Sequence, residues 1–110
     1  MKLFNAGCVF IADPEIMNFT TVDELDAFVL FHCNGRCGEI MKAEKAMNEN
    51  ALETQGKYSS LYTTHSGHKI TITTDIKNLC TVIRLYGKER NTFDMPIVFV
   101  VSGGDVDEAV

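Results

Sequence analysis

The stretch that most limits what this chain can fold into is YSSLYTTHSGHKITITTD, residues 58 to 75. Ile70 and Ile72 alternate with Thr71 and Thr73, a period of two that puts the isoleucines on one face of a strand and the threonines on the other. Ser66-Gly67 stands between two such arms, and glycine supplies the positive φ that a two-residue hairpin turn demands. The segment predicts a hairpin with one buried and one wet face. Something else in the chain must cover the isoleucines.

The cover comes from the amino-terminal half. Thr21 with Glu24 three residues on has the form of a capping box, in which each side chain satisfies a free amide at a helix start. Val22, Leu25, Phe28, Val29 and His32 then recur at helical spacing. Gly35 interrupts that stripe, and Ile40, Ala43, Met47 and Ala51 rebuild one before Gly56, which predicts a second helix. CVFIA, residues 8 to 12, reads as a strand closed by Asp13-Pro14, because proline cannot continue a ladder. LCTVIRLYG, residues 79 to 87, reads as another. Ile97 to Val101 is apolar at every position, which predicts an interior strand covered on both faces and opened by Pro96. Residues 103 to 110 form an acidic tail expected to fray.

The fold class expected is therefore α+β: about five strands in a mostly antiparallel sheet, two helices packed on one face, in the order β-α-α-β-β-β-β. A chain of 110 residues suits one domain. An open antiparallel edge can pair with its copy, so a homodimer through a sheet edge is a further expectation.

The charge is unevenly spread. Residues 1 to 56 hold four basic and nine acidic side chains, residues 57 to 92 six basic and two acidic, and residues 93 to 110 four acidic and none basic. A formal net charge of −5 disfavours duplex DNA as a partner, since dedicated DNA-binding domains are basic. The sheet segment is nonetheless locally basic. Lys69, Lys77, Arg84, Lys88 and Arg90, with the hydroxyls of Thr71 and Thr73, are the residue types that hold an anionic ligand or an acidic protein partner. The leading functional expectation is a non-catalytic binding or regulatory module using that face.

A second expectation comes from FHCNGRCGEI, residues 31 to 40. Four residues apart on a helix, Cys33 and Cys37 would share a face, and His65 and His68 would be cross-strand neighbours if they flank a two-residue turn. Should the hairpin tip reach the helix junction, the four make a Cys2His2 set of the kind zinc prefers. Zinc is the one cofactor the sequence offers a place for. A third expectation is a thiol enzyme in which His32 or a hairpin histidine activates Cys33 or Cys37. Cys8 and Cys80 fall inside strand patterns and read as core.

MKLFNAGC bears a passing likeness to a lipoprotein signal, but the apolar stretch is short and Asn5 breaks it. No run approaches the roughly 18 apolar residues of a membrane span. A cytoplasmic chain with reduced cysteines and no membrane contact is expected. Phosphate-loop and dinucleotide-binding glycine motifs are missing from the sequence.

Overall fold

Residues 2–87 and 99–101 are described by a computed structural model. Strand β1 is Cys8–Ile11, followed by a short 3-10 turn at Pro14–Asn18, helix α1 at Val22–Cys33 and helix α2 at Lys42–Thr54. Strands β2, Lys57–Thr63, β3, Lys69–Asp75, and β4, Cys80–Leu85, follow, and a short strand β5, Phe99–Val101, completes the order. The class is α+β with two helices and a mixed sheet.

The sheet runs β2-β3-β4-β1-β5. β2–β3, β3–β4 and β1–β5 pair antiparallel, while β1 and β4 pair parallel, in the register Cys8↔Cys80 to Ile11↔Ile83. This corrects the mostly antiparallel expectation at its centre: the first strand inserts between two late ones, and a strand arriving from so far off is free to take either direction. It also moves the interior position. β5, drawn from the run expected to lie inside, stands at the end of the sheet order, and β1 occupies the interior.

Alternation along the strands sorts the two faces. Val9, Ile11, Ile70, Ile72, Ile83 and Tyr62 point to one side, and Leu25, Val29 and Cys33 of α1 pack onto them. Thr21 accepts the Glu24 N–H at 3.1 Å and starts α1, but the reciprocal half of the capping box does not form. The Glu24 carboxylate turns instead to the Thr20 hydroxyl and to the N–H of His65, at 2.6 Å in the latter case. One glutamate thereby ties the β2–β3 turn to the beginning of α1.

α2 reaches that face only at its border, where Ala51 packs with Tyr58 of β2. It lies beside the edge strand β2, where the Asn48 carboxamide accepts the Ser59 N–H at 2.9 Å and donates to the Ser59 carbonyl at 2.7 Å. The backbone of residues 37–39 does the same for Leu61, with Leu61 N–H on the Cys37 carbonyl at 3.0 Å and Glu39 N–H on the Leu61 carbonyl at 2.8 Å. These contacts fill, at Ser59 and Leu61, hydrogen-bonding positions of the β2 edge that a second copy would need. The same placement explains why Met47 is exposed although the sequence stripe assigned it to the core: a helix along an edge buries a narrow strip, here Asn48 and Ala51.

The β2–β3 loop is longer than expected. Thr63 pairs with Lys69 in register, and Thr64 and His68 are joined by the Thr64 N–H to His68 carbonyl bond at 2.7 Å. The loop is thus His65-Ser66-Gly67, with the left-handed conformation at Gly67, φ 92°, in the third position of a three-residue hairpin. Among the described residues no helix is long and apolar enough to cross a membrane.

Candidate functional site

The outward face of β2 and β3 carries Ser59, Leu61, Thr71 and Thr73, and its alternation follows from the same period that buries the isoleucines. Where the chain rises from Gly38 into α2, Glu39, Ile40, Met41 and Glu44 stand over this face, and Tyr86 stands at its other side. Together they enclose a groove of about 380 Å³, within the usual size range of small-ligand sites, roughly 300–1,000 Å³. Its floor is hydroxylic: Ser59 Oγ and Thr73 Oγ1 are 3.0 Å apart. Its cationic side chain is Lys69, whose Nζ lies 3.2 Å from the Glu39 carboxylate, and the Thr63 hydroxyl donates to the other oxygen of that carboxylate at 2.5 Å. Those two bonds hold the Glu39 carboxyl below the usual carboxylate range, the Thr63 bond contributing most. Glu44 is occupied at the helix start, where it accepts the Met41 N–H at 2.9 Å.

Of the residues expected to bind an anion, Lys69, Thr71 and Thr73 come together here. Lys77 lies in the β3–β4 turn at the far end of β3, which alone separates it from Lys69 by about 20 Å. Arg84 sits opposite Thr71 in register but is 9% exposed and does not line the groove. Lys88 and Arg90 lie outside the described residues. Glu39, Ser59 and Tyr86 were not expected, and only the strand period of β2 could have pointed to Ser59.

The four expected metal ligands do not meet. α1 ends at Cys33, so Cys33 and Cys37 do not lie one turn apart on a helix: Asn34 caps it and Cys37 belongs to the following loop. The histidines sit at the opposite end of α1. Ser66 donates to the Phe19 carbonyl at 2.6 Å, and the His68 ring stacks on Phe19 with centroids 3.8 Å apart. A twelve-residue helix separates the two ends by about 18 Å. Among the described residues no group of three or more His, Cys, Asp and Glu side chains is placed to hold a metal ion.

The expected thiol chemistry meets a different arrangement. His32 is fully buried, with Nδ1 2.5 Å from Ser60 Oγ and Nε2 2.9 Å from Thr74 Oγ1. Beyond it Thr74 Oγ1 is 2.6 Å from Thr81 Oγ1, and the Thr81 hydroxyl donates to the Ala6 carbonyl at 2.7 Å. Since Thr81 spends its proton on Ala6, it accepts from Thr74, and Thr74 in turn accepts from the imidazole. The ring is therefore the Nε2–H tautomer, with Ser60 donating to Nδ1. Burial lowers the His32 pKa to about 3, and burial raises the neighbouring Cys33 thiol to about 11. An activated thiol requires the reverse of both. Cys37 meets the Tyr58 hydroxyl at 3.1 Å and Asn48 Nδ2 at 3.5 Å. Cys8 is exposed and Cys80 partly so, which corrects the expectation that both belong to the core.

Compared with protein-family models, with curated proteins and with solved structures, the chain has no match.

Proposed function

We propose that the protein is a non-catalytic binding module whose groove, between the outer face of β2–β3 and the start of α2, receives a carboxylate-bearing partner. One observation carries this reading: Glu39 already lies across the mouth of the groove, its carboxylate held by Lys69 and Thr63. The chain's own side chain thus marks the chemistry the position accepts. Both partners of the ion pair are about half exposed, at 49% and 48%, and solvent screens such a pair, so exchanging Glu39 for an incoming carboxylate costs little. The hydroxyls of Ser59, Thr71 and Thr73 then supply donors along the floor, and Leu61, Ile40 and Tyr86 supply apolar walls. This is a mixed lining that suits an acidic peptide better than inorganic phosphate. The four free thiols suit a reducing compartment such as the cytoplasm, where this reading places the chain.

The test is a titration of a fluorescein-labelled hexaglutamate peptide, read by anisotropy, with hexalysine as the control. Glu39→Gln frees Lys69 and is expected to tighten hexaglutamate binding by up to about fivefold. Lys69→Glu is expected to abolish it. Equal affinity of both variants and the parent chain would remove the groove from consideration.

A further inference from the structure

Two thiols that lie 72 positions apart in sequence are placed side by side by the parallel pairing of β1 with β4: Cys8 and Cys80 are register partners. Register partners on neighbouring strands lie about 4.8 Å apart, inside the span of roughly 4.4–6.8 Å between α-carbons that a disulfide bridges. Both belong to the strand face turned away from α1, as the burial of the next residues, Val9 and Thr81, on the α1 side requires. The approach of the two strands is built in just before the thiols. Cys8 N–H donates to the Leu79 carbonyl at 3.0 Å, and a Cβ on Gly7 would lie 2.0 Å from that same oxygen. Gly7 takes φ 66° and Leu79 takes φ 54°, the latter a left-handed conformation that is unfavourable for a leucine. The chain accepts that strain at the residue preceding Cys80, and the result is a close dithiol at the strand starts.

We propose that Cys8 and Cys80 form a reversible dithiol/disulfide site that reacts with small-molecule disulfides of the glutathione class. Cys8, the exposed thiol, attacks as thiolate one sulfur of oxidised glutathione; that S–S bond breaks and one glutathione leaves. Cys80 then attacks the Cys8 sulfur of the mixed disulfide, the new Cys8–Cys80 bond forms and the second glutathione leaves. Two protein thiols lose two electrons and two protons, and oxidised glutathione becomes two molecules of the reduced form. The order follows from access: Cys80 is partly covered, and burial first, then the neighbouring Cys8 and Asp75, raise its thiol pKa. Cys33 and Cys37 are buried and stay out of the exchange.

The experiment treats the full chain, reduced and then freed of reductant, with oxidised glutathione, and maps the products by peptide mass. An intrachain Cys8–Cys80 disulfide in the parent chain is expected. Cys80→Ser should stop at the mixed disulfide on Cys8, and Cys8→Ser should lose the intrachain product entirely. Stable glutathione adducts on the parent chain, a bond mapped to Cys33 or Cys37, or a bond joining two chains would each overturn the proposal. The parent-chain map needs no variant to fold, and circular dichroism of each variant separates lost chemistry from lost structure.

Discussion

His32 holds the core together through a chain of hydroxyls that runs in one direction, from Ser60 through the imidazole, Thr74 and Thr81 to the Ala6 carbonyl. Protonating the ring would place a second N–H toward Ser60 and a charge in a site that water does not reach. The folded pKa, about 3, lies below the ordinary value of 6.5, so the unfolded chain takes up the proton first and stability falls as pH drops below 6.5. Each pH unit in that window costs about 1.4 kcal/mol at most. Urea melts between pH 7 and pH 5 should show the loss in the parent chain and a much flatter dependence in His32→Gln, and equal slopes would refute the assignment. At the same scale, the hydroxyl floor of the groove was legible from the alternation of Ile70, Thr71, Ile72 and Thr73, because a period of two is a local property. The place of His32 was legible only as an apolar-stripe position. Its partners come from β2 and β3, with β4 one hydroxyl further on, and helical spacing says nothing about them.

Among the elements, β2 stands at one end of the sheet order, and Asn48 takes up hydrogen-bonding positions on its outer edge. A carboxamide offers a donor and an acceptor in the spacing a peptide unit would present, and both are used on Ser59. Asn48→Ala removes both bonds in a site only 4% exposed, and leaving the Ser59 backbone unpaired there should cost about 1–3 kcal/mol. Chemical denaturation measures this directly, and a loss below about 0.5 kcal/mol would mean that water replaces the side chain. Asn48→Asp keeps the acceptor but turns a carboxylate oxygen toward the Ser59 carbonyl in that buried site, and should cost at least as much as Asn48→Ala. This element explains why the second helix was legible in its existence but only in part in its buried face, where Ala51 was expected and Asn48 was not. The sequence pattern rewards apolar residues, whereas a helix lying along an edge needs a polar one, so Asn48 was invisible to it and Met47 was misassigned. The metal site failed for a related reason: residue spacing describes an uninterrupted helix, and α1 stops at Cys33.

For the whole molecule, the decisive contact is β1 with β4, because it binds the first strand into a sheet otherwise made by the second half of the chain. Periodicity identified each strand from its own residues but carries no information about a partner some seventy positions away, and that is why neither the parallel pairing nor the meeting of Cys8 with Cys80 could be read in advance. The same long separation has an energetic consequence. A bond between these residues would close a loop of about 70 residues, and restricting the unfolded chain in that way is worth about 4 kcal/mol when the native geometry accepts the bond without distortion. At about 4–8 °C per kcal/mol for a domain of this size, oxidation should raise the melting temperature by about 15 °C or more. Calorimetry of the parent chain with and without reductant measures the shift, and Cys8→Ser, which cannot form the bond, should melt at one temperature under both conditions. A rise in the parent chain alone would mean that the register in β1–β4 already holds the two sulfurs where the bond needs them. A fall on oxidation would mean that closing the bond distorts the strands, and a site so strained would not cycle with small disulfides.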